Sequence, residues 1–294
     1  MNKKTILTVI VLLMGAALFA AQQLSVDYLD GTVELKTAKG WSALTIGDQV
    51  ASDATIRVSK GGSVEMSAGA QHISILKDGT YALTSLLSTA QTAGRTGIGV
   101  SLAQKLRAVT TEQKKTGAVG GVRGSNEGTP ADDVQWVEEG DSVKESSDLI
   151  AKGRYNDAIV MLDDAVKTSS GVEKQELSYL LSLAYYGADK TALAYRTISK
   201  VSLGASSDYY PDFMILKAEI LLDSFSFKES QTVVNAFMAT KPAVKYAQIA
   251  YLISGQCSKG LGDDVAAKTA LNAGYTLDPQ SETAKTISDI LNGQ

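Results

Sequence analysis

Among its 294 residues the chain has one cysteine, one histidine, four prolines and two tryptophans. Each shortage closes a class of chemistry. Cys257 alone cannot make an internal disulfide or supply a multi-cysteine metal cluster. His72 alone excludes two-histidine zinc sites and leaves little for histidine-based acid–base catalysis. Neither sign of charge dominates, with 28 basic against 32 acidic residues, so no general attraction to nucleic acid or to an anionic membrane is expected. No Gly-x-Ser-x-Gly elbow occurs. The glycine-rich stretch Gly117-Ala-Val-Gly-Gly-Val-Arg-Gly124 lacks the Gly-Lys-Ser/Thr ending of a phosphate loop and the dinucleotide register. Asp163-Asp164 and Asp263-Asp264 are adjacent pairs, which on a helix diverge by about 100° rather than converge on a metal. The expectation is a non-enzymatic chain without cofactor or metal. His72 reads as a structural strand residue and Cys257 as a buried, unreactive thiol on an apolar helix.

What is present begins with an export signal. Lys3 and Lys4 precede an uncharged apolar run from Ile6 to Phe19, followed by Ala20, Ala21 and Gln22. That is the order of a secretory signal peptide, over 1–20, and the run is short for a membrane span. No cysteine follows it, so the lipoprotein route is closed. The expected location is the periplasm, with membrane contact only through the signal segment if it stays uncleaved. Removal of Lys3 and Lys4 leaves 26 positive against 32 negative residues.

From Leu24 to about Leu87 apolar residues alternate with polar ones. Leu24, Val26 and Tyr28 read as one strand; further pairs are Val33/Leu35, Leu44/Ile46, Ile56/Val58, Val64/Met66, Ile73/Ile75 and Tyr81/Leu83. Asp30-Gly31, Lys39-Gly40, Gly47-Asp48, Gly61-Gly62, Gly69 and Asp78-Gly79 separate them, the signature of an all-β unit. Gly31-Thr-Val33, Trp41, Leu44, Gly47-Asp48, Ile56-Arg57-Val58, Gly62-Ser-Val64 and the later Gly121-Val122-Arg123-Gly124 resemble a FecR-type extracytoplasmic domain over 24–125. The resemblance implies an envelope-facing binding or sensing module. Only Met1 to Thr5 precede the apolar run, so anti-sigma signalling has no residues to perform it. Within this span Ile98, Leu102, Leu106 and Val109 mark an amphipathic helix, 98–113, expected to pack on the β unit. A basic zone (Lys105, Arg107, Lys114, Lys115, Arg123) and an acidic one (Asp132, Asp133, Glu138, Glu139, Asp141) follow as solvated faces. A linker is expected at 126–143.

The last part, 144–294, is expected to be helical and repetitive. Gly153, Tyr155, Ala158, Leu162 and Ala165 recur as Gly187, Ala192 and Arg196, as Phe227, Ser230, Val234, Phe237 and Pro242, and as Gly262, Ala267, Leu271, Gly274 and Pro279. Taking Ala158, Ala192, Ser230 and Ala267 as equivalent gives steps of 34, 38 and 37 residues. A period in this range signals stacked helical hairpins. The second copy is the weakest, with Arg196 in an apolar slot and a longer connection expected over Ser202 to Asp212. A final helix, Glu282 to Leu291, caps the array. These residues resemble tetratricopeptide (TPR) repeats, whose first helices line a concave groove. All tyrosines but Tyr28 and Tyr81 lie here, and Tyr179, Tyr186, Tyr246 and Tyr251 are the candidate contacts for a protein or peptide partner. The fold class expected is therefore α+β multidomain: an N-terminal all-β FecR-like domain and a C-terminal all-α TPR-like superhelix. Its function would be that of an envelope scaffold or adaptor, with cell-wall glycan (peptidoglycan) or envelope-signal binding by the β domain as the alternative.

Overall fold

The computed structural model describes residues 22–69, 71–92 and 140–293. The signal segment, the amphipathic helix at 98–113, Gly121–Gly124 and the charged zones up to Glu139 lie outside those residues. The chain divides into two compact units, 1–89 and 90–294. Sheets come first and helices follow, as the alternation and the later 3.6-residue patterning demand.

In the first unit eight strands form two antiparallel sheets of four. The strands are β1 (Gln23–Asp30), β2 (Val33–Thr37), β3 (Gly40–Ala43), β4 (Gln49–Ala51), β5 (Thr55–Val58), β6 (Ser63–Ala68), β7 (Gln71–Ile75) and β8 (Gly79–Ala82). One sheet runs β4-β1-β6-β7 and the other β3-β2-β5-β8. Leu24, Val26, Val50, Val64, Met66, Ile73 and Ile75 from the first, with Val33, Ile56 and Val58 from the second, are all buried. The chain passes between sheets at Gly31 and again at Gly61-Gly62. A Cβ on Gly31, whose φ is +71°, would stand 3.0 Å from Gly62 Cα, so the two crossings touch backbone to backbone.

Three strand expectations are corrected. Val26 pairs with Met66 but Tyr28 pairs with Glu65, which leaves Asp27 as the extra residue of a β-bulge. The bulge reverses the alternation, so Leu29 opposes buried Val64 and Tyr28 turns to the other face. Leu44 and Ile46 form no strand. They sit in a turn closed by Asp48, which accepts from Thr45 N at 2.7 Å, and Ile46 is exposed. Leu83 ends no strand either; it opens helix α1 (Leu83–Thr92) as a fully buried residue.

The second unit is a succession of helix pairs: α2 (Gly140–Ala151) with α3 (Tyr155–Thr168), α4 (Gly171–Gly187) with α5 (Thr191–Ile198), α6 (Tyr210–Asp223) with α7 (Phe227–Ala239), and α8 (Val244–Gly260) with α9 (Asp264–Leu277), closed by α10 (Glu282–Leu291). Each helix packs on the next, and the first helices of successive pairs also pack on one another. α2 starts at Gly140, so residues 140–143 are helical rather than linker. Helices α7 and α9 stop before Pro242 and Pro279, and the final helix has the bounds expected of it.

The period is more regular than the sequence reading made it. The left-handed residue between the two helices of each pair is Gly153 (φ +74°), Asp189 (φ +58°), Phe225 (φ +59°) and Gly262 (φ +79°), in steps of 36, 36 and 37. Gly187 is therefore the last residue of α4 and not the turn glycine, and the register of the second pair shifts by two. Its small residue is Ala194, not Ala192, and its large one is Ile198. Ala158, Ala194, Ser230 and Ala267 are all buried, as are Leu162, Ile198, Val234 and Leu271. Arg196 is an exposed neighbour of that row and interrupts nothing.

The same register brings out a second small row on the first helices: Ser146, Ser182, Ala218 and Gly255, every one buried. Small residues on both helices of a pair let the two backbones close on each other. Ser230 Oγ donates to Ala218 O at 2.7 Å across the third pair. At the end of the array Gln248 acts as a clamp. Its amide nitrogen donates to Gly274 O (3.1 Å) and Asp278 O (2.8 Å), and its oxygen accepts from Ser281 Oγ at 2.8 Å. Ser281 in turn caps α10 by accepting from Ala284 N. Leu252, Leu271 and Ile287 seal the apolar side of this closure.

Candidate functional site

Aligned by the 36-residue step, the four candidate tyrosines fall in four different slots. Tyr179 matches Ile215 and Leu252; Tyr186 matches Leu222 and Lys259; Tyr246 matches Tyr209; Tyr251 matches Ser178 and Met214. They do not form a row. Tyr179, Tyr186 and Tyr246 are buried, at 0%, 7% and 3% exposure, and only Tyr251 keeps a half-open ring. Tyr186 donates its hydroxyl to Asp223 Oδ2 on α6. Tyr251 packs its Cβ against Gly274 of α9. Half-open positions that align along successive first helices include Ser142, Ser178, Met214 and Tyr251, with Lys217 and Ser254 one turn on, and also Ala151, Gly187, Asp223 and Gly260 at the helix ends.

Tyr179 and Tyr246 are brought together by a residue that the sequence reading passed over. Asp212, in the first turn of α6, is fully buried, and neither of its carboxylate oxygens has a hydrogen-bond partner among the described residues. The Tyr179 and Tyr246 hydroxyls beside it are also buried without a made hydrogen bond. Burial raises the Asp212 carboxyl from an ordinary 3.8 to about 6, with the Tyr246 hydroxyl and the Lys245 ammonium pulling it back. The Tyr246 hydroxyl is near enough to act on Asp212, but it is not aligned as a hydrogen bond. Both tyrosines are pushed well above their ordinary value by burial first and by the Asp212 charge second. Tyr209 completes the cluster, its ring centroid 5.5 Å from that of Tyr179. Asp212 carries no sequence signal of this kind. After Pro211 it reads as a solvated first-turn acid.

The β unit offers a second surface. On the β3-β2-β5 face, Arg57 donates from Nε and Nη2 to Glu34 Oε2 (2.8 and 2.6 Å), and its guanidinium carbon lies 4.5 Å from the Trp41 ring centroid. Trp41 is 36% exposed on the edge strand, opposite Lys36. The Arg57 guanidinium thus bridges the Trp41 ring, over which it lies, and the Glu34 carboxylate, to which it is bonded.

His72 stands on β7, with Nε2 3.0 Å from Ser74 Oγ. Cys257 is fully buried in α8, and burial pushes its thiol up to about 12. Asp163 and Asp164 both pair with Lys167 on exposed helix surface. Asp263 caps α9 through Ala266 N. Among the described residues no helix is long and apolar enough to cross a membrane. No family model, curated protein or solved structure matches this chain.

Proposed function

We propose that the protein is an exported, periplasmic scaffold, in which a FecR-like β module is joined to a tetratricopeptide-type solenoid that engages a protein or peptide of the cell envelope. The observation that carries this reading is the aligned half-open strip Ser178, Met214 and Tyr251 on successive first helices. Paired small rows and a capped end support the stacking on which such a strip depends. On this reading Tyr251 is the tyrosine that touches the partner, while Tyr179 and Tyr246 are buried and do not. A photo-crosslinking benzophenone residue at position 251 or 214 is expected to give a discrete adduct in cells. The same residue at 160, on the outward side of α3, is expected to give none. Adducts from 160 alone would sink the assignment.

A second reading has its own support in Trp41, Arg57 and Glu34. An open indole beside fixed donors and acceptors suits the apolar face and the hydroxyls of a sugar. On this reading the full-length chain pellets with cell-wall sacculi and Trp41→Ala stays in the supernatant. Equal pelleting of the two chains refutes the platform.

A further inference from the structure

The junction between the second and third helix pairs departs from the others in three ways. Helix α5 has eight residues, the shortest among those described. An eleven-residue connection, 199–209, then precedes α6, where other pairs are joined by short turns. Helices α4 and α5 also pack on α6 more sparsely than their counterparts do at the neighbouring junctions.

The connection lies folded on α4. Ser202 N donates to Gln175 Oε1 at 2.7 Å, Ser207 Oγ donates to Glu176 Oε1 at 3.3 Å, and Val201 and Leu203 are buried. Its last residue, Tyr209, lies against Tyr179 and so closes over the cluster around Asp212. The groups that interact with this carboxyl come from three elements: Tyr179 from α4, Tyr209 from the connection, and Tyr246 and Lys245 from α8. Around them, Glu176, Asp208 and Ser147 of α2 act on Tyr209, and the Phe237 ring of α7 lies against Tyr246. Among the described residues the cation acting on Asp212 is Lys245, itself exposed and 5.0 Å from the Tyr246 ring centroid.

We infer that this junction is a hinge held closed by the proton on Asp212: the neutral acid is compatible with the folded connection, and the buried carboxylate favours an opened junction where water reaches it. The sign follows from the two environments. In the closed form the proton leaves near pH 6; in the open form it leaves near the ordinary 3.8. Closure is therefore fully favoured below the lower value, weakens as pH rises between the two, and levels off above the higher. Any effect on a bound partner rests on the groove reading above, but the hinge is measured without a partner, so the two can fail separately.

The test is hydrogen exchange on the full chain, corrected for intrinsic rates. Protection of amides 199–215 is expected to fall roughly 10-fold between pH 5 and pH 7.5 and to change little beyond. Peptides from α9 and α10 are expected to hold. Asp212→Asn, or Asp212→Ser if the first does not fold, is expected to show no such fall. A wild-type segment whose protection is flat with pH overturns the hinge, as does a variant that falls as steeply as wild type.

Discussion

Asparagine at position 212 makes the full chain more stable than wild type at pH 7.5, by up to about 3 kcal/mol, and the gain disappears toward pH 4. The magnitude follows from raising a carboxyl from its ordinary 3.8 to about 6, where each tenfold gain in proton affinity is worth about 1.36 kcal/mol. Because the folded value is the higher one, wild type has this stability in full below pH 3.8 and loses it as pH rises through 6. Asparagine carries no charge to desolvate and keeps the shape. An amide there is also a donor beside the Tyr246 hydroxyl, which is buried without a made hydrogen bond. The attraction of Lys245 is already contained in that figure, because it is one of the causes that hold the carboxyl at about 6. Urea unfolding followed by helical circular dichroism at pH 4.5 and 7.5 measures it. A variant less stable than wild type at pH 7.5 would show that the ionised carboxylate is well paired, contrary to the geometry.

The second large effect sits where α8 crosses α9. A Cβ at Gly255 would stand 2.6 Å from Leu271 Cγ and 3.3 Å from Ala267 O. Gly255→Ala should thus destabilise by about 1–3 kcal/mol, even though alanine is the better helix former by about 1 kcal/mol. Leu271→Ala alone should cost about 2–5 kcal/mol, because Leu271 is 3% exposed and fills the space between Leu252 and Ile287. Together the changes should not add. With the leucine gone, the new methyl has room and fills part of the cavity, so Gly255→Ala becomes nearly neutral in that background. A double-mutant cycle reads this directly. Simple additivity would mean that the crossing is set by the Ala267 carbonyl and not by the side chain.

These two sites mark what the sequence did and did not disclose. Rows made of Ala158, Ser230, Ala267, Leu162, Val234 and Leu271 were legible because helical spacing and residue size repeat together. The second pair was misplaced because Gly187 imitates a turn glycine, while the true left-handed residues there and in the third pair are Asp189 and Phe225. Aspartate tolerates that conformation, but nothing about a phenylalanine announces it. The first-helix row stayed hidden because Ser146 and Ser182 read as surface. Both are buried by returning their hydroxyls to their own helix, at Ser142 O and Ser178 O. In the β unit the alternation was visible and the bulge at Asp27 was not, since one extra residue leaves composition unchanged while reversing every later face. The chemistry of a tyrosine suits a contact residue, yet its burial depends on what crosses over it. Tyr209, from a stretch that read only as connection, covers Tyr179.

The Gln248 clamp carries a consequence for the order in which the chain takes shape as it is made. Gln248 is 1% exposed, and among the described residues its amide is satisfied by Gly274, Asp278 and Ser281, all downstream of it. While residue 281 is still within the ribosome, water alone answers the Gln248 amide, and burying it would cost a hydrogen bond. The last pair is therefore less stable without its cap, by about 1–3 kcal/mol for the unmet amide. Residues 248–291 are thereby tied into one cooperative unit, in which α10 and the turn before it latch α8 and α9.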